Sequence, residues 1–245
     1  MQHHKEVIWL ARYFNQHFPD LGNFTLKLLG LPQQRYPWAN FMVMELVVMI
    51  LIIVFFAYLR PRLSADKPGN LQHTLEAVYQ FVYGESEDAV GHGGSKYMTF
   101  FGSLFLFILV CNLIGIIPGF ESPTIDPSVP CGCAIATFVY YNLMGLRENG
   151  LFKYMAHFAG PMWYLAPLMV PIEFISHLAR PLSLTVRLYA NMYAGEQVTL
   201  VFLSLTYFVV PAVFMGLHVF VSLLQAYIFM LLTMMYVSGA VSHEH

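Results

Sequence analysis

"MTFFGSLFLFILVCNLIGIIP", residues 98–118, runs for 21 residues without one Asp, Glu, Lys or Arg. About 20 mainly apolar residues, rising about 1.5 Å each as a helix, cross the hydrocarbon core of a bilayer. The stretch therefore reads as a membrane span, and the rest of the chain is read outward from it.

Of the 245 residues, 58% are hydrophobic and 11% charged, and the mean hydropathy is +0.59. A soluble domain carries roughly 25% charged residues. The composition predicts a polytopic membrane protein. Further candidate spans lie at 41–59, 129–146, 161–179 and along the tract 180–242. No formal charge occurs from Gln197 to Ser242. Pro211 sits near the middle of the long tract, which predicts two helices joined there, because proline breaks a helix interior. The expected fold class is all-α: a polytopic membrane protein of five or six helices, with residues 1–40 an extramembrane segment and 41–245 embedded. No short apolar run near the start is followed by a cleavage-type site, so the first span is expected to direct insertion.

The net charge of −2 leaves no basic surface for nucleic acid. Cys111 lies mid-span and reads as a small apolar side chain. Cys131 and Cys133, in "PCGC" (130–133), are expected in a loop beside a span; without a histidine or a second pair they make a weak metal motif and are read as inert.

Short cytoplasmic loops collect Lys and Arg. Arg60, Arg62, Lys67 and Lys96 lie between the first two spans, none in "GFESPTIDPSVP" (119–130), and Arg147 and Lys153 after the third. The alternation places the N-terminus outside, against the weight of Lys5, Arg12, Lys27 and Arg35. Leu71, Leu75, Val78 and Val82 recur at helical spacing in "NLQHTLEAVYQFVYG" (70–84), which reads as an amphipathic helix at the cytoplasmic face.

After Lys153 the only Lys or Arg residues are Arg180 and Arg187. An arginine at the centre of a membrane helix costs about 2.5–3.5 kcal/mol on insertion scales, so each needs a reason. Arg180 precedes Pro181 at an expected helix start, where its side chain would snorkel to the interface. Arg187 sits seven residues further in, with no acid three or four residues away. Glu196, nine residues on, is about 180° round the helix. The countercharge must come from another helix or another chain. Ser183, Arg187 and Asn191 form a stripe at four-residue spacing, and His218, Ser222 and Gln225 form a second, which a hairpin through Pro211 would bring together. Either stripe alone reads as interhelical hydrogen bonding. Glu173, Glu196 and His218 in the same apolar third favour proton movement.

Enzyme readings find no support: the chain has no H-E-x-x-H, no G-x-S-x-G and no paired cysteine sets. "GHGGS" (91–95) lacks the Lys-Ser/Thr ending of a phosphate loop and reads as a turn.

"RPLSLTVRLYANMYAGE" (180–196) closely resembles the signature of subunit a of the F-type ATP synthase, Pro-x-Ser-Leu-x-x-Arg-Leu-x-x-Asn-x-x-Ala-Gly. "NLIGIIPG" (112–119) is similar to the family's Asn-Leu-x-x-x-x-Pro segment, and "GLHVFVSLLQAYIFMLLTMMYVSGA" (216–240) to its last helix. The closing "HEH" also has the family's character. The resemblance thins over the first 40 residues, and Tyr189 and Ala190 stand where Phe and Gly are common.

This resemblance implies a stator subunit whose two long C-terminal helices form a hairpin against a rotor ring, coupling proton passage to rotation of c subunits. Arg187 would be the stator arginine, with Asn191 beside it and Gln225 nearby on the last helix. Glu196 and His218 would line an aqueous half-channel, and Glu173, Asn112 and Ser183 would be further polar positions. The implied partners are the c ring, the b subunits of the peripheral stalk, the rest of the complex and the lipid of a bacterial inner membrane. No cofactor or metal is implied. A rotor carboxylate meeting Arg187 would ionise, so protons must use separate entry and exit paths; lysine, which loses its proton readily on burial, would not serve. The competing readings are a secondary transporter, for which the chain lacks repeat symmetry, and a membrane scaffold, which would not require Arg187.

Overall fold

The computed structural model describes residues 8–28, 32, 36–64, 69–91, 93–117, 119–150, 166–205 and 209–241. Lys5, Arg35, Lys67, His92, Pro118, Lys153, the first five residues of the expected 161–179 span and the closing "HEH" lie outside them. Among the described residues the regular structure is entirely helical. The α-helices are α1 (Trp9–His17), α2 (Pro19–Leu28), α3 (Asn40–Leu59), α4 (Asn70–Val90), α5 (Met98–Ile114), α6 (Ser128–Asn149), α7 (Ala166–Leu205) and α8 (Val209–Val241). Asn40–Arg62, Ser128–Asn149 and Ala212–Val241 are each long and apolar enough to cross a membrane, and Met98–Ile114 is a shorter apolar helix of 17 residues.

The last helix holds the assembly together: α8 packs against α4, α5, α6 and α7. Its Phe229, Met230, Met234 and Val237 are buried with Phe101 and Ile108 of α5, Tyr141 of α6, and Leu184, Leu188 and Met192 of α7. The outward surfaces are equally apolar. Ile50, Ile53 and Val54 of α3, Val139 and Leu143 of α6, and Leu182 and Val186 of α7 are all exposed. A chain apolar on its surface as well as in its core is built for lipid.

The amphipathic segment forms α4, six residues longer than its sequence stripe. Val82 is buried and Leu75 and Val78 are half-buried, while Leu71 points away. Phe81 meets the ring of Tyr227 on α8 at 5.6 Å. The helix ends at Gly91, whose φ of +83° suits glycine. Gly94 then passes so close that a Cβ there would collide with the Ser86 carbonyl, and Ser86 Oγ donates to the Gly94 carbonyl at 2.8 Å.

Near the start of the chain, Asn15 holds α1 to the entry of α3. Its amide donates to the Trp38 carbonyl and its Oδ1 accepts from the Trp38 N–H, both at 2.9 Å.

Three local expectations fail. "PCGC" lies in the first turns of α6 rather than in a loop, since a helix start tolerates Pro130, where backbone N–H groups have no helical partner. Cys111, Cys131 and Cys133 are free. The expected break at Arg180 is absent, because α7 runs through both Pro171 and Pro181. Proline removes one helical hydrogen bond, and membrane helices absorb that loss through neighbouring helices and hydroxyl side chains. Pro211 falls in the first turn of α8 instead of at a turn between helices, again where its missing N–H costs nothing. The connection itself, 206–208, lies outside the described residues.

Candidate functional site

Helices α7 and α8 run antiparallel, with contacts that step in opposite directions along the two chains. Asn191 Nδ2 donates to Gln225 Oε1 at 2.6 Å, Ser222 Oγ lies 3.9 Å from Met192 Sδ, Gly195 touches His218, and the rings of Phe202 and Phe214 stack at 4.1 Å. The two polar stripes read from the sequence meet at one pair, Asn191 and Gln225, while Ser222 and His218 face Met192 and Gly195. Gln225 pairs with Asn191, however, and no hydrogen bond joins it to Arg187 among the described residues.

Arg187 is half-buried, four residues before Asn191. Among the described residues it makes no ion pair and no hydrogen bond. Ser183, Val186 and Ala190 beside it are exposed. The guanidinium thus stands at the edge of an uncovered face of α7.

Arg180 is different. Its guanidinium lies 3.6 Å from the Glu173 carboxylate, and its centre sits 5.9 Å and 5.3 Å from the ring centroids of Tyr141 on α6 and Tyr236 on α8. This is a cation held between an acid and two aromatic faces, so Arg180 locks α7 to its neighbours instead of snorkelling from a helix end. His177, on the same face, reaches Asn142 Oδ1 at 3.1 Å and lies edge-on to Tyr141 at 5.2 Å. Spacing alone offered this residue, four positions after Glu173.

Past Asn191, α7 and α8 enclose a cavity of about 200 Å³ whose walls include Asn191, Gly195, Thr199, Phe214 and His218. Glycine is needed here: a Cβ on residue 195 would lie 2.9 Å from His218 Nδ1. Glu196 is half-buried and outside this wall. The structure brings the imidazole against the backbone beside Glu196.

Asn112, fully buried near the end of α5, makes a network that the sequence did not announce. Thr124 Oγ1 donates to its Oδ1 at 2.8 Å, Ser122 Oγ lies 2.7 Å from Thr124 Oγ1, and the Asn112 amide donates to the Ser222 carbonyl at 3.4 Å. The 119–127 connection is thereby tied to the middle of α8. Thr124 and Ser122 looked like ordinary loop residues, and nothing in their spacing marked them. No group of His, Cys, Asp and Glu among the described residues could hold a metal ion.

A family model described as ATP synthase A chain matches residues 42–238. ATP synthase subunit a of Solibacter usitatus is 64% identical over 232 residues, covering 95% of this chain and all of that protein. The Koribacter versatilis subunit a is 47% identical over 240 residues, covering 97% and 98% of the two chains. The Geobacter sulfurreducens protein of the same name is 40% identical over 200 residues, covering 82% and 86%. The match spans the helices that carry Asn112, Arg187, Gln225 and their neighbours, and with it the chain belongs to the ATP synthase A chain family, as a multi-pass membrane subunit a forming the proton-channel stator of the F-type ATP synthase.

Proposed function

We propose that Arg187 is the fixed cation past which the carboxylates of a c-subunit ring rotate, and that the polar groups around it serve separate proton half-channels. The observation that carries this reading is the guanidinium that makes no ion pair among the described residues, at the open edge of α7. A charge kept in apolar surroundings is stabilised when another chain brings an opposite one. A rotor carboxylate would be ionised while it faces Arg187 and free to take up a proton once past it.

Asn191 and Gln225, clamped together at 2.6 Å, hold the two helices beside the arginine. His218, in the cavity wall, and Glu196 act on one half-channel. Asn112, Glu173 and Ser183 serve as further polar positions, with Glu173 and Arg180 fixing how α7 is rotated. The b subunits of a peripheral stalk would hold the protein against rotation, residues 1–40 would lie outside a bacterial inner membrane, and 41–245 within it.

The test is a cross-link. A cysteine at the exposed Val186 is paired with cysteines scanned along the membrane helices of the c subunit, in the assembled complex. A disulfide at one depth of the c helices supports the reading. Absence of every such bond, beside control pairs within α7 and α8 that do form, would sink it.

A further inference from the structure

The first span contains a charge that the mechanism leaves unused. Glu45 lies in "NFMVMELVVMI" (40–50) on α3, half-buried, with no ion pair or hydrogen bond among the described residues. It is the only Asp, Glu, Lys or Arg of that helix. An ionisable side chain inside a span needs a partner.

Glu45 opens into a cavity of about 550 Å³ between α3, α5 and α6, on walls that do not include Arg187 or His218. Phe41 and Phe107 line the same cavity, Phe100 and Ser103 continue the wall along α5, and Ser128 stands at its α6 edge. Phe100 is held in place by stacking on Tyr140 at 3.7 Å. A carboxylate among aromatic rings and hydroxyls suits an ammonium group, and an apolar slot running from it suits hydrocarbon.

Depth favours a lipid headgroup. The 20 residues of α3 span about 30 Å, the thickness of the hydrocarbon core. Asn40 then lies at the boundary and Glu45 about 7.5 Å inside it. Side chains on a helix lean toward its N-terminus, which carries the carboxylate back toward the headgroups.

We propose that this cavity binds a phospholipid with a primary-amine headgroup, its ammonium on the Glu45 carboxylate and one acyl chain along Phe100, Ser103 and Phe107. An anionic headgroup would be repelled from the same place.

The whole ATP synthase complex, reconstituted in phosphatidylglycerol vesicles doped with phosphatidylethanolamine bearing a photoactivatable acyl chain, is compared with the same vesicles doped with photoactivatable phosphatidylglycerol. The ethanolamine lipid should label the cavity walls about five-fold more, the preference expected of one partly exposed ion pair. Glu45→Gln should bring the two labels to parity. Equal labelling of the unaltered complex, or an undiminished preference in Glu45→Gln, overturns the proposal. A photoreactive group at Phe41 that captures another subunit and no lipid overturns it in favour of a partner helix. Should Glu45→Gln fail to assemble, Gly132→Leu provides the second measurement, since a side chain at Gly132 enters open space and would fill the slot; labelling must then fall for the proposal to stand.

Discussion

Asn191 donates its amide to Gln225 across 2.6 Å, joining α7 to α8 one helical turn from Arg187. Of the polar residues on the two stripes, these two make the one direct side-chain hydrogen bond between amides, and Gln225 is buried while Asn191 reaches the open face. The rotation of α7 about its axis, and with it the direction of Arg187, is set partly here.

Cysteines at 191 and 225, in a chain otherwise free of cysteine, should form a disulfide readily on oxidation. ATP-driven proton pumping should stop in the oxidised protein and return on reduction. A pair at 186 and 225 should not cross-link, because Val186 faces outward. Efficient bonding of that control pair would refute the packing described for these helices.

Arg187→Lys should bring pumping to background while the subunit still inserts and assembles. Lysine keeps a positive charge in water but gives up its proton readily when buried, so the barrier between half-channels would open intermittently. Pumping by reconstituted vesicles and recovery of the complete complex are the two measurements. Normal pumping would dispose of the need for a permanent charge.

Gly195→Val should crowd His218, since even a Cβ at 195 would sit 2.9 Å from its Nδ1. Overpacking of this kind costs about 1–3 kcal/mol. The added substitution His218→Ala should restore thermal stability without restoring proton flux. Recovery of both would reduce His218 to a packing residue. Glu196→Gln, measured alone, should lower flux and displace its pH profile without loss of assembly.

Thr124→Val should destabilise the folded subunit by about 1–3 kcal/mol, because it leaves the buried Asn112 carbonyl without its donor. Thr124→Ser should be tolerated. Thermal denaturation of the complex in detergent distinguishes the two; equal midpoints would show that the network contributes nothing.

Much of this fold was open to reading because lipid imposes a simple rule, that a long apolar run must be helical and long enough to cross. The stripes of α7 and α8 were legible for the same reason, since in an apolar helix each polar residue stands out and its spacing fixes its face. Proline misled. Pro181 and Pro211 were expected to mark breaks, yet one sits within a continuous helix and the other in a first turn, because the cost of a missing N–H depends on surroundings that spacing does not record. The Arg180 cage was hidden because Tyr141 and Tyr236 lie on other helices. Thr124 and Ser122 were hidden because hydroxyls in a loop carry no pattern, whatever they touch after folding. Glu45 went unremarked in the sequence, because its cavity exists only when three helices assemble.

The unbroken length of α7 has a further consequence. Its 40 residues extend about 60 Å, twice the hydrocarbon thickness, and it exposes Ile172 and Ile175 near one end and Val201 and Leu203 near the other. Standing upright, it would push one of those ends into water. To keep both in lipid, a straight helix of this length must tilt by about 60° from the membrane normal. Each step along it then changes depth by only about 0.75 Å, so the 23 positions from Glu173 to Glu196 occupy about 17 Å of depth. The charges of α7 are then spread sideways more than they are stacked.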